Sequence, residues 1–313
     1  MKITCFLYKI IYCTCFFLLL IPAVGQNLDI KEQALLDLVA EDVEVRKLAD
    51  GFRFTEGPVW NKEGGYLLFS DIPANKIYKW SPGGQVSVFR EPSNNSNGLT
   101  FDAEGNLLIA EHSGRKIGQL SPEGEYRAVV ESYEGTRFNS PNDVIIDSKG
   151  IIYFTDPPYG LPNDAADTLG FNGVYQYRDG KLTLISRELD RPNGLALSPD
   201  ERTLYVANSG SPKKYMKFPV SKKGKVGKSE LFYDVSGIDK PGNPDGIKVD
   251  TAGHLYATGP GGVWVFSADG KHLGTITFPE TPANIAFGGP DMKTLFVTAR
   301  TGLYAVELKV SGK

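Results

Sequence analysis

A chain of 313 residues, 41% of them hydrophobic, is long enough for one large core or two ordinary ones. With 34 basic and 37 acidic residues its formal charge is only −3, so no global attraction draws it to nucleic acid or another polyanion. All three cysteines (Cys5, Cys13, Cys15) fall in the first 25 residues, leaving the rest of the chain without disulfide, zinc–thiolate site or cysteine nucleophile.

That first stretch carries Lys2 and Lys9, an apolar run through Phe16–Ile21, then Pro22 and the small residues Ala23, Val24 and Gly25. It reads as a signal peptide over 1–25 rather than a membrane anchor. The protein is therefore expected to be exported, periplasmic or secreted, with no stable membrane insertion after cleavage. Residues 26–42, containing LDIKEQALLDLVA, read as a short amphipathic helical extension, and residues 43–313 as a single domain.

One phrase recurs through that domain. TEGPVWNKEGGYLLFSDI begins at Thr55, SNGLTFDAEGNLLIAEH at Ser96, and PNDVIIDSKGIIYFTDP at Pro141. RPNGLALSPDERTLYVANS begins at Arg191, PDGIKVDTAGHLYATGP at Pro244, and a weaker PANIAFGGPDMKTLFVTAR at Pro282. A period of roughly 40–50 residues is that of a β-propeller blade. Each copy holds an alternating strand, a turn such as Asp102–Gly105, and a second strand rich in β-branched and aromatic residues. The turn Asp and Gly are structural. Less regular strands, as in KIYKWSPGGQVSVF, complete four-stranded sheets. The expected fold is all-β: a six-bladed β-propeller of four-stranded antiparallel blades around a central channel. The last repeat has little chain after GLYAVELKV, so Val43–Phe54 is expected to supply its outer strand.

The innermost strand of each blade begins at one mouth of the channel. Across the six copies the residue there is Glu56, Asn97, Asn142, Asn193, Asp245 and Ala283. Five of the six carry a side-chain oxygen, and Glu56 is a poor turn residue, so turn preference does not account for the set. Carboxylates converging without partners are costly, which points to a bound cation. An all-oxygen set with two carboxylates suits Ca²⁺ best, then Mg²⁺ or Mn²⁺. Zn²⁺ stands last, because it prefers imidazole or thiolate and the three histidines are scattered. The second strands end at the same mouth with Asp71, Glu111-His112, Asp156, Asn208 and Arg300, which also suit ordinary polar loop tips. His112, Arg137 and Tyr159 are candidate substrate contacts there, with Asn97 and Asn142 from the ring itself.

EGPVW, RFNSPNDVIIDSKGIIYFTDPPYG, RPNGLALSPDERTLYVANS and NPDGIKVD resemble the gluconolactonase / regucalcin / luciferin-regenerating-enzyme family of six-bladed propellers, over about Val45 to Val310. In that family, and in the related diisopropyl fluorophosphatase, a Glu, one or two Asn and an Asp hold a catalytic divalent cation, usually Ca²⁺. By motif these fall on Glu56, Asn142, Asn193 and Asp245, and Asn142 is a substrate contact in some relatives. The family's Arg-Phe-Asn phrase appears at Arg137–Asn139, followed here by an additional Ser-Pro-Asn. The resemblance implies a metal-dependent hydrolase that opens a sugar lactone, with Asp245 as ligand and base. Phosphotriesterase-like hydrolysis and a non-catalytic, calcium-plugged binding propeller are the alternatives. No G-x-S-x-G, H-E-x-x-H or G-x-G-x-x-G occurs. Specificity is expected in loops such as Leu161–Phe171, and the oligomeric state is left open.

Overall fold

The computed structural model describes residues 27–161 and 168–313; the expected signal peptide and residues 162–167 of the specificity loop lie outside them. Six antiparallel blade sheets follow one another along the chain, with a two-stranded ribbon, Ser132–Tyr133 against Thr136–Arg137, between the second and third. Their innermost strands are Thr55–Asn61, Ser96–Phe101, Val144–Ile146, Pro192–Leu197, Ile247–Val249 and Pro282–Gly288, in blades 1 to 6. Each is followed outward by the β-rich second strand of its repeat, so the six copies of the phrase are six blade centres.

The ring closes through the N-terminal strand Arg46–Ala49. It pairs with Gly302–Glu307 of blade 6, with Arg46 opposite Ala305 and Lys47 opposite Tyr304. The last blade thus takes its outer strand from the start of the domain, which completes its four-stranded sheet.

In place of the amphipathic helix expected over 26–42, Leu28–Ile30 adds a fifth strand to blade 5, opposite Gly274–Ile276. One 3₁₀ turn follows, Gln33–Asp37. A helix this short gains little from its own hydrogen bonds, and tertiary packing decides instead. Leu28, Leu35, Leu38, Val39 and Val43 are buried with Tyr256, Ile285, Leu295 and Val306, sealing blades 5 and 6 from outside. No helix among the described residues is long and apolar enough to cross a membrane.

Neighbouring blades are clasped near the axis by buried hydroxyls. Ser70 of blade 1 donates to Asn97 O of blade 2 at 2.8 Å, Thr155 to Asn193 O at 2.8 Å, and Thr258 to Ala283 O at 2.9 Å. Each bond ties a second strand to the next blade's first, which holds the inner mouth rigid.

Leu35 is fully buried, so Leu35→Ala is expected to cost about 2–5 kcal/mol by removing core volume. Urea unfolding measures this directly. A loss below about 1 kcal/mol would mean that the N-terminal segment only decorates the ring.

Candidate active site

The ring residues sit at a local irregularity of the first strand. In blade 1 Glu56 is opposite Ser70, but the next pair is Val59 with Leu68. Blade 2 repeats this between Ser96 and Leu99, and blade 4 between Pro192 and Leu195. One extra residue in the inner strand forms a bulge, which bends the strand and re-aims the side chains at its mouth end.

The position after each ring residue completes the geometry. It reads Gly57, Gly98, Asp143, Gly194, Gly246 and Asn284. A Cβ on Gly57 would lie 1.8 Å from Asn97 O, and one on Gly194 would lie 2.2 Å from Asp245 O. Where the backbones meet they hydrogen-bond, Gly98 N to Asn142 O at 2.8 Å and Gly246 N to Ala283 O at 2.9 Å. The glycines let adjacent strands close in until the ring side chains touch.

Asn97 Nδ2 donates to Asn142 Oδ1 at 2.7 Å, and Asn142 Nδ2 donates to Asn193 Oδ1. Asn193 Nδ2 donates to Ser209 Oγ at 2.9 Å, and that hydroxyl donates to Pro244 O, beside Asp245. A chain of amides thus crosses blades 2, 3 and 4 and reaches blade 5. Glu56 is buried and accepts from Gly57 N at 3.0 Å. Burial, followed by the charge of Asp143, pushes its carboxyl up to about 7, while Gly57 N–H and the Asn284 amide pull it down. Asp245 is half-buried and raised well above the usual carboxylate range, by desolvation and then by the charges of Glu56 and Asp143.

Asp245 Oδ1 and Asn97 Oδ1 are buried without any hydrogen-bond partner. Unpaired buried acceptors on a ring that also holds strained carboxylates cost free energy. The donor set, carboxylate and amide oxygens from separate blades, fits a hard divalent cation with flexible coordination. No group of three or more His, Cys, Asp or Glu side chains placed to share an ion occurs among the described residues. Amides therefore have to make up the set, and Glu56, Asn142, Asn193 and Asp245 are the residues that would hold the ion.

His112 joins the ring, with Nε2 3.2 Å from Asn142 Oδ1 and 3.4 Å from Asn97 Nδ2. Burial pushes its imidazole down to about 4, so it is neutral at ordinary pH. Tyr159 also reaches the ring: Ser209, Asp245 and Asn193 all act on its hydroxyl, and 42% of the residue remains exposed at the mouth. The Arg191 guanidinium lies 5.6 Å from its ring centre. Arg137 is different. It is exposed on a two-residue strand, Thr136–Arg137, and its guanidinium donates to Gly114 O at 3.1 Å.

The polar ends of the second strands are mostly braces. Asp71 accepts from Arg53 N at 2.9 Å, Asp156 from Asn139 N at 2.8 Å, and Asn208 from Arg191 N at 2.9 Å. Glu111 accepts from Tyr126 Oη at 2.6 Å and Asn94 Nδ2 at 2.8 Å. The first three, buried at their strand ends, fasten the loop entering their own blade.

Sequence reasoning missed Asp143, Asn284, Ser209 and Lys248. A second column of the same repeat alignment would have exposed Asp143 and Asn284, which replace glycine there. Ser209 and Lys248 carry no comparable signal. Below this second layer the channel opens into a cavity of about 440 Å³, lined by Val59, Thr100, Ile145, Ala196 and Lys248 among others. It is the largest cavity described, yet it lies on the far side of the polar layers from the mouth.

Six blades closed by an N-terminal strand, with a carboxylate–amide ring at one mouth, define a six-bladed β-propeller with a polar centre. The chain belongs to the SMP-30/gluconolactonase/LRE-like family, which it matches over residues 54–301. It is 40% identical to gluconolactonase of Zymomonas mobilis over 306 residues, covering 89% of this chain and 84% of that protein. Pentonolactonase of Haloferax volcanii is 31% identical over 256 residues, covering 80% and 82%. Among solved structures, a gluconolactonase from Xanthomonas campestris superposes with a TM-score of 0.81 at 33% identity, over 90% of this chain and 94% of that one.

The close approach at Gly57 is expected to be intolerant. Its φ of +51° is in the left-handed region, and its added Cβ meets backbone rather than a movable side chain. Gly57→Ala should cost about 3 kcal/mol or more in urea unfolding. Wild-type stability would show that the inner strands can spread freely.

Proposed function

We propose that the chain is a gluconolactonase-like lactone hydrolase that opens a sugar lactone with the help of a divalent cation, Ca²⁺ first, held at the ring. The observation that carries this reading is the unpaired Asp245 Oδ1, set among Glu56, Asn142 and Asn193 at an open mouth. Family membership and the similarity to two sugar lactonases support the reaction class.

Glu56, Asn142, Asn193 and Asp245 would hold the ion, which would supply positive charge to polarise a lactone carbonyl and stabilise its oxyanion. Asp245 takes the proton from the attacking water. Asn97 and the neutral His112 offer hydrogen bonds to the sugar without adding charge. Tyr159, half in solvent, gives the substrate a wall at the entrance. Read with the leader sequence, this chemistry would take place outside the cytoplasm.

Asp245→Asn and Asn193→Ala should separate the two roles. An amide cannot accept the proton, so Asp245→Asn should lose on the order of 10²–10⁴ in rate and stay impaired at saturating calcium. Asn193→Ala should recover in large part as calcium is raised, because only affinity is lost. A pH-indicator assay on an aldonolactone panel measures both and tests the activity itself. Full recovery of Asp245→Asn would remove Asp245 as the base.

Calcium binding should strengthen with pH. Glu56 and Asp245 are raised, so the metal-free fold favours their protonated forms. The stability Glu56 contributes is complete below its ordinary value of 4.5 and disappears as pH climbs through about 7. His112 acts oppositely, costing stability as pH falls from 6.5 towards 4. The readout is therefore the melting-temperature gain on adding calcium, expected to be larger at pH 8 than at pH 5.5. An equal gain at both would show that the ion displaces no protons.

A further inference from the structure

The amide chain at the mouth has a direction, and one group at its blade 5 end fixes it. A side-chain amide keeps its shape when turned over by half a turn, but its donor and acceptor change places. Asn97, Asn142 and Asn193 touch in series, so turning one over sets donor against donor unless its neighbours turn too. His112 and Tyr159 do not choose between the two directions. An imidazole Nε2 donates or accepts according to tautomer, and a phenol hydroxyl does both. His112 Nε2 stands 3.2 Å from Asn142 Oδ1 and 3.4 Å from Asn97 Nδ2, and the Tyr159 hydroxyl reaches Ser209 and Asn193.

Pro244 O does choose. A peptide carbonyl only accepts, so Ser209 Oγ donates its single proton there. With that proton committed, Ser209 can only accept from Asn193, whose Nδ2 stands 2.9 Å away. Asn193 Oδ1 must then face Asn142 Nδ2, and Asn142 Oδ1 must face Asn97 Nδ2 at 2.7 Å. The amide chain runs out at Asn97 Oδ1, which is buried without a hydrogen-bond partner. That leftover acceptor is what a chain polarised from its blade 5 end produces. The peptide between Pro244 and Asp245 is also held from both sides, because Asp245 N donates to Thr258 O at 3.2 Å.

We propose that Ser209 is a positioning residue of the metal site: by donating to Pro244 O and accepting from Asn193, it fixes which way the ring amides face and holds the Asp245 backbone beside them. The inference rests on the metal reading above and deepens it. Each amide oxygen has two lone pairs and uses one on its neighbour's N–H, leaving the other for a hard cation. An amide turned over would offer the ion an NH₂ group instead, which repels it. Asp245 also draws the Asn193 amide. A carboxylate that serves the ion is no longer free to hold an amide, whereas Ser209 is.

The test is calorimetric titration of the purified protein with calcium alone. Ser209→Ala should weaken calcium binding on the order of 10- to 100-fold, the usual cost of removing a partner that orients a metal ligand. Ser209→Thr keeps the hydroxyl and should restore the affinity of the unsubstituted protein. Ser209→Cys is close in size but a weak donor and acceptor, so it should fall between them, and it stands in if Ser209→Ala folds poorly. Lactone hydrolysis by Ser209→Ala should return to the unsubstituted rate at saturating calcium, because only affinity is lost. Unchanged affinity in Ser209→Ala and Ser209→Cys, equal weakening in Ser209→Thr, or a rate that calcium does not restore would overturn this inference and leave the metal reading standing. No calcium binding by the unsubstituted protein would overturn both.

Discussion

The molecule depends on how closely its inner strands approach one another. At Gly57, Gly98, Gly194 and Gly246 the backbone of one blade meets the next with no room for a Cβ. That contact draws Glu56, Asn97, Asn142, Asn193 and Asp245 into one polar ring, and the Gly98–Asn142 and Gly246–Ala283 backbone bonds lock it. Wider spacing would turn the same residues into separate loop tips in water, where neither raised carboxylates nor an amide chain would arise. The buried hydroxyls of Ser70, Thr155 and Thr258 fasten the approach from the second strands.

Closeness has an electrostatic consequence. Burial and the mutual charge of Glu56, Asp245 and Asp143 raise the proton affinity of the ring carboxylates. Such a site is unstable when empty and charged. It reaches low free energy by taking up protons or a cation. The bracing of entry loops by Asp71, Asp156 and Asn208 keeps the entrance rigid while this happens. The same polar residue types therefore serve two purposes at one mouth: those on first strands meet in the ring, and Asp71, Asp156 and Asn208 on second strands hold loops.

Much of this was legible in the chain. Six copies of one phrase at blade-like spacing determined the propeller, because stacked sheets repeat their strand-and-turn pattern along the sequence. Reading one column through the copies found the ring, including Glu56, whose side chain suits no turn. The strand within Val43–Phe54 was expected because blade 6 lacked an outer strand, and Arg46–Ala49 fills that place. Periodicity failed at the N-terminus: residues 26–42 carry a helix-like pattern, yet burying Leu28 and Leu35 against blades 5 and 6 favours a strand and a 3₁₀ turn.

The sequence by itself determined the blade count, the all-β class and which residues stand at the mouth, since these follow from repetition and need no partner. Tertiary structure alone decided which of the mouth residues meet. His112 and Tyr159 reach the ring while Arg137 turns to Gly114, because loop paths depend on contacts between blades distant in sequence. It also decided that Ser209 links Asn193 to the backbone beside Asp245. Each of these joins residues on different blades, and no local pattern encodes a distance across the axis.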